Sequence, residues 1–140
     1  MTIIKSISGI RGTIGGKVNE NLTPIDTVKY AASYGTYLIN KFPNKIISIV
    51  IGRDARSSGP MIQNLVQNTL IALGINCIDL GLSTTPTVEI AVINEKTDGG
   101  IIVTASHNPN NWNALKLLNE KGEFIDDNAG KEIVKLAQKN

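Results

Sequence analysis

Residues 45–60 read KIISIVIGRDARSSGP, and this stretch decides the class of fold. It begins with a run of β-branched apolar residues, which is typical of a strand buried on both faces. A polar loop, Gly52–Gly59, follows the strand. From Pro60 the spacing of apolar residues predicts a helix to about residue 73, which Gly74 ends. Strand, polar loop and helix in this order are the unit from which layered α/β domains are built.

The same unit recurs on both sides of this stretch. Upstream, Thr23 is suited to cap a helix that Pro24 opens and that runs to about Lys41. Downstream we predict strands at 76–80, 100–104 and 114–118, a helix at 85–95 and a last helix from about residue 127. Residues 3–18 are expected to form a hairpin at the sheet edge. The prediction is an α/β fold, a layered α/β/α domain with a mixed, largely parallel central sheet, formed by residues 1–140 as one domain.

Helical spacing also predicts which side chains of the first two helices face the core. For the first helix these are Ile25, Val28, Ala32, Gly35 and Ile39. For the second they are Met61, Leu65, Leu70 and Leu73.

The composition excludes several classes of function. The chain has 140 residues, a net charge of +2 and 4% aromatic residues, without a basic run or an acidic tail, so we expect no nucleic-acid partner. No apolar stretch approaches the roughly 18 residues of a membrane span, and residues 1–5 lack a signal pattern, so no membrane partner is expected. The single cysteine, Cys77, lies in an apolar run and is interpreted as a small buried side chain. These features fit a cytoplasmic protein.

Three of the predicted strands end in polar loops, at 52–54, 81–85 and 104–109. If the strands are parallel, these loops share the edge of the sheet where α/β domains bind ligands. In the third loop Ser106 follows a buried strand, His107 and Asn108 can donate hydrogen bonds, and Lys116 supplies a nearby cation. Such a cluster could hold an anion beside a hydroxyl group. On residue types alone an ordinary turn is the alternative, and adjacent side chains on an extended segment point apart, which argues against a Ser-His triad.

Five motifs, in order and over nearly the whole chain, resemble those of the α-D-phosphohexomutase superfamily. They are Ser8–Gly12 (the Ile-Arg-Gly loop), Gly52–Gly59 (the Gly-Arg-Asp segment), Gly81–Pro86, Thr104–Pro109 (the phosphoserine loop) and Asn113–Lys116. The chain departs from the family pattern near Trp112 and at Ala114, where most members have glycine. Because alanine does not adopt positive φ cheaply, we expect a slightly different turn before Lys116.

The resemblance implies the N-terminal domain I of a four-domain mutase that interconverts the 1- and 6-phosphates of a hexose through a sugar 1,6-bisphosphate. Ser106 would be the phosphorylated residue. Arg11 and Lys116 would supply positive charge, with Lys116 a candidate general acid or base. His107 and Asn108 would shape the loop or contact phosphate. The implied substrates are hexose phosphates, of mannose or glucose first, with glucose or mannose 1,6-bisphosphate as activator.

The resemblance also implies Mg²⁺, held by the phosphate on Ser106 and by an Asp-x-Asp-x-Asp loop that this chain lacks. The one acidic pair, Asp126-Asp127, lies where a helix cap is expected. The aspartates and the sugar-recognition loops would therefore belong to the remaining domains of the same polypeptide, and the 140-residue chain alone would be inactive.

Supporting roles and other functions are left open by the sequence. Arg53 and Asp54 are expected to brace one another and the loops, and Thr104 and Ser83 are candidates for support behind the site. The alternatives to the leading interpretation are a phosphoglucosamine mutase domain, a non-catalytic phosphosugar-binding module and an interaction domain that has lost activity. The chain has no Gly-x-x-x-x-Gly-Lys-Ser/Thr or Gly-x-Gly-x-x-Gly motif, which argues against a nucleotide-binding module.

Overall fold

The computed structural model describes residues 3–6 and 9–139, so that Ser8 of the first motif lies outside the described residues. In chain order the elements are β1 (Ile4–Ser6), β2 (Gly9–Thr13), α1 (Pro24–Lys41), β3 (Ser48–Arg53), α2 (Gly59–Ala72), β4 (Asn76–Leu82), α3 (Thr85–Asn94), β5 (Gly99–Val103), β6 (Trp112–Leu118) and α4 (Asp127–Gln138).

The six strands form one mixed sheet in the order β1-β2-β6-β5-β3-β4. The strands β4, β3 and β5 are parallel, whereas β6 runs antiparallel to β5 and to β2, and β1 is antiparallel to β2. The predicted α/β class with a mixed sheet is thus confirmed, as is the hairpin at the sheet edge. Parallel pairing joins the three strands whose polar loops were predicted to share one edge, and those loops do follow the carboxyl ends of neighbouring strands.

Helices cover the two faces of the sheet unequally. The larger core combines side chains of α1, α2 and α4 with one face of the strands, including Ile49, Ile51 and Ile101. On the other face Val50 and Ile102 pack with residues of α3. This division follows from the alternation of side chains along each strand. Within the described residues, no helix is both long and apolar enough to cross a membrane.

Capping residues fix where two helices begin, as the sequence predicted. Thr23 caps α1, and its backbone and side chain both contact the carboxylate of Asp26 in a capping box. Asp126 caps α4 by accepting a hydrogen bond from the Ala129 backbone N–H at 2.8 Å. The acidic pair at residues 126–127 therefore serves the start of a helix.

The predicted inward faces of α1 and α2 are partly wrong. Ile25, Val28 and Ile39 are exposed, and so are Met61 and Leu73. Gly35 and Leu70 are buried as predicted, but the other buried apolar side chains are Tyr30, Ala31, Tyr34 and Leu38 of α1 and Ile62 and Val66 of α2. Both helices carry apolar residues on neighbouring faces, and two tyrosines complete the face of α1 that packs on the sheet.

Candidate active site

The site begins on one face of the strand pair β2–β6. Arg11 lies opposite Ala114, and Gly9 lies opposite Lys116. Cross-strand partners and residues two apart on a strand share a face, so Arg11 and Lys116 are diagonal neighbours on the same side of the sheet. Ala114 lies inside β6, so the different turn expected before Lys116 is wrong: a strand residue with a Cβ fits there without positive φ.

Ser106 lies in the serine loop, which we define as residues 104–111 between β5 and β6. Its φ is 51°, in the left-handed region, and not in the extended conformation expected from the sequence. The turn is closed by a 3.0 Å hydrogen bond from the backbone N–H of Asn108 to the carbonyl of Ala105. In this conformation the exposed Ser106 hydroxyl accepts a hydrogen bond from Lys116, with an Nζ–Oγ distance of 2.6 Å.

An open cleft of about 260 Å³ unites all five predicted site residues. It is lined by Arg11, Ala105, Ser106, His107, Asn108, Ala114 and Lys116. Two of these lining residues are cations, and none carries a carboxylate. A cleft with this charge is suited to a phosphate group next to the serine hydroxyl, because charge-assisted hydrogen bonds to phosphate oxygens are strong.

A further arginine, Arg56, lies behind the serine loop and was not singled out from the sequence. Its side chain is only 8% exposed, and its Nε donates to Oδ2 of Asp54 at 3.2 Å. Its two terminal nitrogens donate to four carbonyl groups of the serine loop and the first residue of β6, those of Ser106 (2.8 Å), Asn108 (2.8 Å), Pro109 (2.6 Å) and Trp112 (3.1 Å). All five N–H donors of the guanidinium group are therefore used. The sequence feature that could have pointed to Arg56 is that it is the third charged residue of the Gly-Arg-Asp segment, after Arg53 and Asp54.

Asp54 connects Arg56 to the backbone of the candidate reactive serine. Its Oδ2 accepts from the Thr104 hydroxyl at 2.6 Å, and Oγ1 of Thr104 in turn accepts from the Ser106 backbone N–H at 3.2 Å. Asp54 thus braces the loops as predicted, although its side-chain partner is Arg56 rather than Arg53. The hydroxyl of Ser83 bonds to the carbonyl of Leu80 and does not line the cleft.

Comparison with known proteins identifies the family. Residues 3–140 match the family model described as phosphoglucomutase/phosphomannomutase, α/β/α domain I. The chain belongs to this family. It is 37% identical over 113 residues to a phosphoglucomutase/phosphomannomutase of Thermococcus kodakarensis, which covers 79% of this chain and 25% of the relative. It is 32% identical over 125 residues to a phosphoglucosamine mutase of Alkaliphilus oremlandii, which covers 89% of this chain and 27% of the relative.

A solved structure supports the same assignment for this phosphohexomutase domain. A Thermus thermophilus protein assigned as a phosphomannomutase superposes with a TM-score of 0.85 at 26% identity, over 98% of this chain and 30% of that one. The layered α/β/α fold is therefore that of phosphomannomutase domains. The chain spans about a quarter of the length of the curated relatives cited above, which fits the first domain of a multidomain mutase.

The described part of this phosphohexomutase domain does not by itself fit a Mg²⁺ ion. Residues 3–6 and 9–139 contain no group of three or more His, Cys, Asp or Glu side chains that could hold a metal. The carboxylate nearest in the network to Ser106, that of Asp54, already accepts hydrogen bonds from Thr104 and from Arg56. The oxygens of Asp54 are therefore engaged in hydrogen bonds that hold the serine loop.

Proposed function

We propose that this domain carries the serine that gives a phosphoryl group to, and takes one from, a hexose phosphate in a mutase. The observation that carries the proposal is the 2.6 Å hydrogen bond from Lys116 Nζ to Ser106 Oγ, inside a cleft that Arg11 also lines. A serine hydroxyl held by a cation, with a second cation on the same sheet face, is an arrangement suited to phosphoryl transfer. Positioning and electrostatic stabilisation supply most of the catalysis of such transfers.

In the proposed reaction, phosphoserine 106 donates its phosphoryl group to the free hydroxyl of a sugar monophosphate. The Oγ–P bond breaks, a sugar O–P bond forms and a 1,6-bisphosphate results. Lys116 gives a proton to the departing Oγ, and the proton of the sugar hydroxyl passes to a base from the rest of the polypeptide. After the bisphosphate reorients in the site, its other sugar O–P bond breaks and a new Oγ–P bond forms. The Ser106 hydroxyl returns its proton to Lys116, and the departing sugar oxygen takes up the proton that the base received in the first step.

The other cleft residues have proposed roles in binding. Arg11 compensates the charge on the phosphoryl oxygens as they pass between sugar and serine. His107 and Asn108 contact the phosphate or shape the loop around it. Mg²⁺ would neutralise phosphate charge, with the phosphate on Ser106 as one ligand and aspartates of another domain as the others. For this reason the isolated chain is proposed to be inactive, and glucose or mannose 1,6-bisphosphate to act as the activator that charges Ser106 in a cytoplasmic enzyme.

The sugar is proposed to be mannose or glucose, with glucosamine as the alternative. Relatives of similar identity are named for phosphoglucomutase/phosphomannomutase and for phosphoglucosamine mutase. The cleft described here presents groups for phosphate. Selection among hexoses is therefore assigned to the remaining domains.

The first test locates the phosphate. The full-length polypeptide that carries this chain would be incubated with Mg²⁺ and glucose or mannose 1,6-bisphosphate, and added phosphate would be located by peptide mass spectrometry. We expect phosphate on Ser106, and the loss of both phosphate and mutase activity in Ser106→Ala. The matched control is Ser57→Ala, which removes the hydroxyl of another exposed loop serine. A folded protein that takes up no phosphate would instead support the non-catalytic binding module.

A second test concerns the cation beside the serine. Lys116→Met in the full-length polypeptide removes the donor to Ser106 Oγ, and we expect the rate of phosphoryl transfer to fall about 100-fold or more. Lys17→Met, at an exposed position outside the cleft, is the control for loss of one positive charge. Equal transfer rates in the two variants would remove Lys116 from the mechanism.

A further inference from the structure

Both main-chain polar groups of Ser106 are tied to one ion pair behind the serine loop. Its carbonyl accepts from Arg56 at 2.8 Å, and its N–H donates at 3.2 Å to the Thr104 hydroxyl, which donates to Asp54 at 2.6 Å. We propose that Arg56 is a positioning residue: it fixes the backbone of the serine loop so that the Ser106 hydroxyl faces Lys116. This inference rests on the proposed function of Ser106.

The conformation of Ser106 explains why such a device is needed. A serine at φ 51° is in a region that L-residues with a side chain disfavour, so a loop without external contacts would relax out of it. Relaxation would move Oγ relative to Lys116, whose backbone is fixed in β6. Four carbonyl contacts from one side chain, at Ser106, Asn108, Pro109 and Trp112, hold the loop along its length.

The chemistry of the side chain specifies arginine. The guanidinium group presents five N–H donors in a rigid planar fork, and here each has an acceptor. A lysine has three donors on one atom and could reach at most three of these five acceptors. At this position the exchange of arginine for lysine preserves the positive charge and removes the planar arrangement of five donors.

The same contacts exclude a direct role for Arg56 as a phosphate ligand. Its side chain is 8% exposed and all its donors are used, whereas Arg11 is exposed in the cleft. Arg56 therefore acts on the reaction through the serine loop and not through the substrate.

The test compares Arg56→Lys with Arg53→Lys in the full-length polypeptide. Arg53 is three residues away, and its guanidinium group donates at 3.5 Å to the carbonyl of Asp54, outside the serine loop, so it is a matched control. For Arg56→Lys we expect kcat and the single-turnover rate of Ser106 phosphorylation to fall about 100-fold, because small displacements of reacting groups have effects of this size. KM for the hexose phosphate should rise less than kcat falls, by about threefold at most, because Arg11 and Lys116 lie on β2 and β6 and do not move with the serine loop. For Arg53→Lys, kcat, the single-turnover rate and KM should all stay within about threefold of the wild-type values.

A structural measurement separates this inference from the proposed function. The three-bond coupling between the Ser106 amide and Hα protons reports φ by NMR, and it should leave its left-handed value in Arg56→Lys while the melting temperature shows a folded protein. Native coupling and native rate in Arg56→Lys would overturn the inference and leave the role of Ser106 intact. A wild-type protein that takes no phosphate on Ser106 would overturn the proposed function, and the positioning of a reactive serine with it.

A second variant keeps the test decisive if Arg56→Lys does not fold. Asp54→Asn retains the shape of the side chain and leaves all four carbonyl groups as acceptors for Arg56. It removes the negative charge beside Arg56 Nε and weakens the link through Thr104 to the Ser106 N–H. We expect a fall in transfer rate of about tenfold, smaller than for Arg56 because one of the two ties remains. An unchanged rate and an unchanged Ser106 coupling in Asp54→Asn would contradict the inference.

Discussion

Tyr34 offers a direct test of how the sheet is supported beneath the site. Its side chain is fully buried, and burial raises the pKa of its hydroxyl far above the ordinary value. The hydroxyl accepts from the Gly100 N–H at 3.1 Å and donates to the Leu118 carbonyl at 2.7 Å, where β5 and β6 meet. Tyr34→Phe keeps the ring and removes only the hydroxyl, which also lies 3.2 Å from the Gly100 carbonyl.

The expected loss follows from those two contacts. Each buried main-chain group left without a partner costs about 1–3 kcal/mol, and neighbouring groups of the sheet can recover part of this. We therefore expect Tyr34→Phe to lower the free energy of unfolding by about 2 kcal/mol. The assay is urea unfolding of the 140-residue chain followed by circular dichroism.

Tyr37→Phe is the matched control, because it makes the same chemical change on a half-buried ring of the same helix. It should alter the free energy of unfolding by less than about 0.5 kcal/mol. Equal losses in the two variants would refute the reasoning. A double-mutant cycle adds a second check: a Cβ at Gly99 would clash with the Tyr34 hydroxyl, so Gly99→Ala should cost less in the Tyr34→Phe background.

Three further predictions concern stability and reactivity. Burial raises the pKa of the Cys77 thiol to about 11, so at pH 8 a disulfide reagent should label it on the order of 100-fold more slowly than free cysteine. Partial burial raises the pKa of Glu120, but the ion pair with Lys41 has the larger effect, so the pKa of Glu120 lies below its ordinary value. Glu120→Gln should therefore cost about 0.5 kcal/mol in urea unfolding at pH 7 and nothing at pH 3, where the stabilisation is lost. Asp126→Ala, which removes the α4 cap, should cost about 1 kcal/mol in thermal unfolding.

Each of these has an outcome that contradicts it. Rapid labelling at pH 8 would mean that the Cys77 thiol is accessible and ionises normally. A Glu120→Gln cost that persists at pH 3 would show that packing, not charge, is lost. An Asp126→Ala protein as stable as wild type would mean that water or a neighbouring side chain replaces the cap.

The residues at which helices begin were predictable from capping residues, whereas the helix face that is buried was not. Thr23 and Pro24 specify the start of α1, and the structure begins that helix at Pro24. The inward face was wrong because Ile25 and Val28 satisfy helical spacing as well as Tyr30 and Tyr34 do. The helix has two neighbouring apolar faces, and only the position of the sheet determines which of them is buried. Likewise, alternation of strands and helices does not reveal that β6 runs antiparallel.

The sequence predicted which residues would lie together in the candidate site, but it did not predict which residue holds the serine loop in place. Ser106, Lys116 and Arg11 were identified from motifs, and the cleft brings them together. Arg56 stands in a polar loop whose sequence gives no sign that its partners are carbonyl groups 50 residues or more along the chain. Main-chain acceptors have no sequence signature, so a residue that binds them is found only when the chain is folded.

The place of β6 in the sheet has a consequence for the order in which the protein folds. Residues 9–13 pair with residues 112–116, and β6 alone joins the N-terminal hairpin to the rest of the sheet. During synthesis the hairpin leaves the ribosome before β6 does. The edge of β2 that pairs with β6 therefore stays unpaired until residues 112–116 have also emerged. Such distant pairing slows folding and leaves strand edges open to other chains. Arg11 and Lys116 therefore meet only after β6 has been synthesised, and a nascent chain that ends before β6 would have the arginine but would lack the strand that completes the cleft.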